Sequence, residues 1–444
     1  MADLCHNDSD AVSLSSIIPF AVLLLLPVLS FSQPDIDAAY AVLQPFESKT
    51  SAADNAAPRP SGLDGRVMAG YQGWFRTPGD GSGLGFQHYR KGRSFRPGSC
   101  TIDLWPDLTE FTAEEKFATP FRHKDGRVAE VFSSIHPKTV DRHFNWMKTY
   151  SIDGAFVQRF GIIACGPKEY KQLRADNQKL IHCRTAANQH QRCYALMYDL
   201  SGLRDSDFEE LARDWKELRT RMQLGTDPND RAYLQLNGKP LVAIWGVGFN
   251  DDRDYSLAFC ERFIRLLKHN PDWGGMSIML GVPYGWREQR RDAITDERLH
   301  TVLELADVIS PWAVGRVRRE HLDNGEARRQ QLADRAWCDQ RKISYLPVVY
   351  PGFSWHNLKG EKLGAIPRER GRFLQDQFAT VKAADGNAAY VAMFDEIDEA
   401  TAVFKCTNDP PVGASRFLTY DGLPSDHYLR LCEKGRILLR TPSK

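Results

Sequence analysis

Eight short apolar runs, at 66–75, 154–160, 193–199, 240–245, 276–281, 308–312, 345–350 and 389–394, alternate with stretches of helical periodicity. Most of the runs are continuous rather than alternating, as expected of strands buried on both faces of a parallel sheet. The stretches between them place apolar residues on one stripe: Val140, Phe144 and Met147 behind Pro137; Phe208, Leu211, Trp215, Leu218 and Met222; Phe259, Phe263, Ile264 and Leu267. Ser206 and Glu209 have the spacing of a capping box at the start of the second stripe. Eight such units predict an α/β fold, a (β/α)8 TIM barrel. An open doubly wound sheet is the rival, but its phosphate loops are missing. The glycines of 79–85 fit no GxGxxG frame, and neither GxxxxGK[ST] nor GxSxG occurs.

The barrel is expected to occupy 63–405. A minimal (β/α)8 barrel takes about 250 residues, and the surplus falls between the first two runs, at 76–153. This long insertion after the first strand carries His88 and Asp107 and is expected to roof part of the pocket. Residues 406–444 read as a C-terminal tail packing on the barrel, and the Ala-, Ser-, Pro- and Asp-rich 33–62 as a linker or N-terminal arm. Residues 1–32 read as a signal peptide. No charge lies between Ala11 and Pro34, the apolar run 17–29 is short for a membrane span, and Ser30 and Ser32 suit a cut before Gln33. Asp3, Asp8 and Asp10 with no Lys or Arg before that run are unusual for such a leader, so an uncleaved anchor is the alternative. The expectation is a secreted or extracytoplasmic protein, periplasmic or at the cell surface, meeting a membrane only through such an anchor. With 58 basic and 57 acidic residues there is no bulk attraction to nucleic acid. Loss of the leader removes Cys5 and leaves eight of the nine cysteines, an even set for an oxidising compartment. Cys183 with Cys193, and Cys406 with Cys432, are the near-sequence pairs.

In barrels of this kind chemistry sits at the carboxyl ends of the strands. Five of the ten tryptophans fall there: Trp74, Trp245, Trp286, Trp312 and Trp355. They are interleaved with Tyr71, Gln158, Arg159, Tyr284, Arg287, Tyr350 and His356, and His88 follows in the insertion. Indole faces beside bidentate polar groups suit a sugar, whose C–H face stacks while its hydroxyls need partners. Carboxylates then suggest hydrolysis of a glycosidic bond, which needs an acid and a base or nucleophile. Asp199 ends the third run, and Asp395, Glu396, Asp398 and Glu399 cluster at the eighth. Strand alternation sends Asp395 and Glu396 opposite ways, so Glu396 is the expected general acid, with Asp199 as its partner base or nucleophile; Glu399, which could also cap the following helix, is the third catalytic candidate. No HExxH motif and no zinc-spaced His/Cys ladder occurs, so neither metal nor cofactor is expected. A carbohydrate is the expected partner. A non-catalytic glycan-binding barrel and a metal-dependent barrel hydrolase or lyase are the alternatives.

Four segments carry a resemblance: Val67-Met68-Ala69-Gly70-Tyr71-Gln72-Gly73-Trp74-Phe75, Phe86-Gln87-His88-Tyr89, Asp103-Leu104-Trp105-Pro106-Asp107, and Met393-Phe394-Asp395-Glu396-Ile397-Asp398-Glu399-Ala400-Thr401. They resemble the glycoside hydrolase family 71/99-like proteins, among them members described as xylosidase or arabinosidase. The resemblance implies a (β/α)8 barrel acting on polysaccharide, with α-mannosides cut by family 99 and α-1,3-glucan by family 71. It also implies a carboxylate just before Pro283-Tyr284, where this chain has Val282. Either Asp199 with Glu396 or Glu399 then supplies the acid pair, or the barrel binds glycans without cutting them.

Overall fold

The computed structural model describes residues 33–47, 59–166 and 170–442. The expected leader, with Cys5, lies outside them.

The eight barrel strands, in chain order, are β1 (Val67–Tyr71), β2 (Gly154–Phe160), β3 (Cys193–Asp199), β4 (Lys239–Trp245), β5 (Ser277–Val282), β6 (Val308–Pro311), β7 in two pieces (Ser344–Tyr345 and Val348–Val349) and β8 (Ala389–Val391). All neighbours pair in parallel: β1 with β2, β2 with β3, and so on to β6, with β8 on the other side of β1. The seventh apolar run, expected as one strand, is divided. Ser344–Tyr345 pairs with β6 and Val348–Val349 with β8, and this change of partner closes the sheet into a barrel. Pro347 stands at the junction. It has no N–H to give to a ladder, but its carbonyl accepts from Tyr390 N at 2.9 Å.

Alternation sorts each strand into two layers. Met68, Phe156, Cys193, Ala195, Met197, Leu241, Ala243, Met279, Val308, Val348 and Tyr390 fill the inside of the barrel. Val67, Tyr71, Val157, Leu196, Tyr198, Ile244, Leu280 and Val282 pack outward on the helices. Gly154 is required by the closeness of β2 to β3, since a Cβ there would lie 2.0 Å from the Cys193 carbonyl oxygen.

The helix Phe208–Arg221 forms as expected, but its cap differs. A short 3-10 turn, Asp205–Asp207, precedes it, and the Asp207 carboxylate accepts from Arg204 N at 2.9 Å, taking the role expected of Ser206 and Glu209. In the insertion, Phe117–Arg122 and Val128–Val131 form an antiparallel hairpin. The helix His427–Arg440 packs on the helix Arg372–Ala383. Its Arg436 pairs with Asp153, which also accepts from the first amide of β1. The eight described cysteines are free. Cys183 packs outside the barrel and Cys193 inside it, 3.5 Å from the Met68 sulfur, so the first expected pair is separated by the sheet. Cys406 and Cys432 are likewise buried and unpaired.

Candidate active site

The chain just beyond β8 organises the carboxyl end of the barrel. Phe394 N donates to Gly70 O at 2.7 Å, tying it to β1. The two carboxyls that follow then diverge. Both Asp395 oxygens accept backbone N–H groups from the end of β1, Gln72 N and Gly73 N, each at 2.8 Å. Asp395 is thereby a structural clamp, and its burial still pushes it up to about 6. Glu396 accepts from Gln72 Nε2 at 2.6 Å and from Thr401 Oγ1 at 2.5 Å.

Asp398 and Glu399 complete a set of three interacting carboxyls. Burial, then the nearby charges of Glu399 and Asp398, hold Glu396 well above the carboxylate range. Burial pushes Asp398 up to about 8. It pushes Glu399 up to about 7 with help from Asp398, while the Trp355 indole and Lys359 pull the other way. Asp199 does not belong to this set. It lies on the inward face at the end of β3, but it accepts from Ser201 N at 2.8 Å and faces Arg253 and Asp251. Buried Tyr390 lies between the two regions and feels both Glu396 and Asp199.

The expected binding residues divide into two groups. Gln158 shares the inward face of β2 with Phe156, and its amide nitrogen lies 3.1 Å from the Met197 sulfur. Trp245 and Trp312 meet edge to face, with ring centroids 5.5 Å apart, and both pack on the barrel interior. Trp355 packs beside Phe353. Trp74 is present, but it is not a free stacking surface. His88 lies on one side of it (3.9 Å, 6°) and Phe160 on the other (5.4 Å, 24°), leaving its edge and its unpartnered Nε1.

The structure places the other group elsewhere. Tyr71 is fully buried on the outer wall, its hydroxyl 3.0 Å from His143 Nδ1. Arg159 points outward beside Gln158 and is locked to Asp214 and Asn177. Trp286 is buried against Trp337 and His300. Arg287 pairs with Asp334 and Glu288. Tyr284 and Tyr350 do belong to the interior cluster, but both are buried in it, Tyr284 in the loop anchored by Asp292 and Tyr350 with its hydroxyl donated to Val317 O. His356 gives its amide to Asp103 and sets Nδ1 2.7 Å from Glu361 O. Val282 points outward, so a carboxylate at that position would not reach the mouth of the barrel.

Buried polar atoms without a partner occur in many parts of the described chain, and six of them lie around the mouth. Gln72 Oε1, Gln158 Oε1, Asp398 Oδ1, Ser310 Oγ, Trp74 Nε1 and Trp245 Nε1 are buried with no hydrogen-bond partner. Such groups are costly unless a water or ligand completes them. Ser310, Gln72 and Tyr390 escaped the sequence reading. For Ser310 the alternation of β6 was the available signal, since it shares a face with Val308. Among the described residues, no group of three or more His, Cys, Asp or Glu is arranged to hold a metal ion. Nor is any helix among them long and apolar enough to cross a membrane.

Solved structures of glycoside hydrolases share this fold. One is a family 99 endo-α-mannosidase from Bacteroides thetaiotaomicron, matched with a TM-score of 0.61 at 15% identity over 86% of this chain and 100% of that chain. The same type of enzyme in complex with bis-tris-propane matches with a TM-score of 0.60 at 15% identity, over 85% of this chain and 98% of that one. A protein described as glycoside hydrolase-like matches with a TM-score of 0.52 at 11% identity, over 86% and 97% of the two chains. No family model matches the chain. No curated protein matches it in sequence.

Proposed function

We propose that this protein is a glycoside hydrolase acting on a polysaccharide or oligosaccharide, with Glu396 and Glu399 as its acid pair. The observation that carries the reading is this carboxyl pair at the mouth of a barrel rimmed by unpartnered polar atoms. Those atoms include both donors and acceptors, and sugar hydroxyls serve as both. Glu399 faces the Trp355 indole and is held up to about 7, which suits a general acid. Glu396, fixed by Gln72 and Thr401, is its partner carboxylate. This reading revises the expected Glu396–Asp199 pair. It leaves Asp199, Gln158, Tyr390, Trp245 and Trp312 as lining. The neighbouring endo-α-mannosidase makes α-mannan the first substrate to try, with xylosides, arabinosides and α-1,3-glucan beside it. Export through a leader cut before Gln33 belongs to the same reading, because a polysaccharide is met outside the cell.

The test is product analysis on such a panel with wild type, Glu396→Gln and Glu399→Gln. Loss of the acid should cost about 10²–10⁴-fold on polysaccharide. It should cost far less on an aryl glycoside whose leaving group needs no proton. Glu399→Gln is expected to show that split, and Glu396→Gln to fail on both substrates. Full activity in either variant overturns the assignment. Glycan binding without turnover in wild type would make the barrel a binding protein.

A further inference from the structure

Gln72 and Gln158 stand side by side at the mouth, and each keeps one atom free. The ladder between β1 and β2 pairs Tyr71 with Val157, so the next residue along each segment, Gln72 and Gln158, shares a register. Alternation turns both inward, opposite to Tyr71 and Val157 on the outer wall. Lys179, from the helix Tyr170–His190 outside the barrel, donates to both backbone carbonyls, Gln158 O at 2.7 Å and Gln72 O at 3.3 Å. One buried ammonium thus ties the two strand ends together. The side-chain nitrogens are engaged as well, Gln72 Nε2 with Glu396 Oε1 at 2.6 Å and Gln158 Nε2 with the Met197 sulfur at 3.1 Å. Among the described residues neither side-chain oxygen has a partner, although Gln72 is only 7% exposed and Gln158 only 4%.

A buried amide oxygen without a partner is costly, and it is completed by whatever fills the mouth. Such an oxygen only accepts, so its partner must be a donor. On a sugar the donors are hydroxyls. Neighbouring strands lie about 4.8 Å apart, a spacing that lets each oxygen meet one of two hydroxyls on adjacent ring carbons. We propose that Gln72 and Gln158 are a specificity-determining pair, their side-chain oxygens accepting from two adjacent hydroxyls of the sugar seated against Glu396. The proposal rests on the glycoside hydrolase reading above and narrows its substrate class. The reacting unit carries a free vicinal diol toward this wall, and a deoxy or O-acylated unit there lacks the donor. Gln72 also donates to Glu396, whose other oxygen takes Thr401 Oγ1, so the hydroxyl on Gln72 is the one nearer the reacting carbon.

The test is a cycle of side-chain and hydroxyl deletions. The probes are aryl glycosides of mannose, xylose, arabinose and glucose, each beside versions lacking one ring hydroxyl. The proteins are wild type, Gln72→Leu and Gln158→Leu, and the readout is kcat/KM. Removing either of two adjacent hydroxyls should cost wild type about 10- to 100-fold, because a buried acceptor is left unpaired. In Gln158→Leu the penalty for one of the two should vanish and the other persist. Gln72→Leu should show the reverse, on top of a general loss from its broken bond to Glu396. Penalties unchanged in both variants overturn the proposal. So does a wild type indifferent to every single hydroxyl, since waters would then complete the two amides; that series needs no variant to fold. If wild type binds the probes without cutting them, Kd values from calorimetry replace kcat/KM. The same pattern there sustains the pair and refutes hydrolysis alone, whereas binding to none of the probes overturns the pair.

Discussion

Glu399→Gln tests whether the acid motif is held against its own electrostatics. Burial and the Asp398 charge raise the Glu399 carboxyl from 4.5 to about 7 in the folded chain. A raised acid pKa means that the native state holds its proton after the unfolded chain has released it. Stability from this group is therefore lost as pH rises from about 4.5 to about 7, the reverse of ordinary acid denaturation. At about 1.4 kcal/mol per pH unit the loss is about 3.5 kcal/mol, and sharing of protons with Glu396 and Asp398 brings it to about 2–3 kcal/mol. Glutamine has nearly the same shape and no charge to desolvate. An unfolding entropy of about 2.1 cal/mol/K per residue over about 400 residues gives about 0.8 kcal/mol/K, so the effect is about 3 °C in Tm. Calorimetry of both proteins should show Glu399→Gln gaining about 3 °C over wild type at about pH 8 relative to their difference at about pH 4.5. Taking the difference between the two pH values cancels any change in packing. A gap that stays constant with pH would refute the reasoning.

Arg159→Met should leave Asp214 buried with only the Tyr40 and Tyr198 hydroxyls. It should cost about 3–5 kcal/mol, or about 4–6 °C in Tm, with KM for any substrate unchanged; a raised KM at unchanged Tm would return Arg159 to the pocket. The Arg159 charge holds Asp214 below the usual carboxylate range against the opposing effect of burial. The stability of that pair is therefore present above about pH 4 and lost as pH falls further, and the cost of Arg159→Met should shrink there, which an acid unfolding series would detect. Gly154→Ala drives a methyl into the β3 backbone and should destabilise by about 1–3 kcal/mol or more in a denaturant titration. With every described cysteine unpaired, thiol titration in denaturant without reductant should count eight for a chain starting at Gln33; six or fewer would indicate disulfides.

Much of the barrel was legible because a strand buried on both faces has to be written as an apolar run. The seventh run hid its division because both halves are apolar, and Pro347 was the only sign that one ladder could not continue. The site was legible where alternation was applied and obscure where it was not. Applied to Asp395 and Glu396, it separated the backbone clamp from the carboxyl of the acid set. Gln158 and Arg159 are also adjacent, so only one of them could face inward; the inward one is Gln158, which shares a face with Phe156. That Arg159 serves a buried ion pair depended on Asp214, 55 residues away, which local patterning does not connect to it. The flanking of Trp74 has the same origin, because Phe160 comes from β2 and His88 from the insertion.

The long insertion does more than roof the barrel. Asp103 accepts from Ser354 Oγ at 2.5 Å, His356 N at 2.7 Å and Asn357 N at 2.8 Å, which fixes the loop after β7 that carries Trp355. Its own amide and that of Leu104 donate to Ile397 O at 2.9 and 3.2 Å, in the middle of the acid motif. Ser354 N then donates to Glu399 O at 2.9 Å, and Leu418 N to Asp103 O at 2.7 Å, joining that loop and the C-terminal tail to the same point. From the same insertion, His88 reaches Asp398. None of these bonds belongs to the β-ladders, so the eight strands would pair without them. A minimal barrel of this topology would close, but its carboxyls would lack what aims them. The length beyond a minimal barrel goes into holding residues 395–401, with their four carboxyls, against mutual repulsion in a fixed geometry. That is the requirement of a site whose acids must be buried, close together and differently protonated.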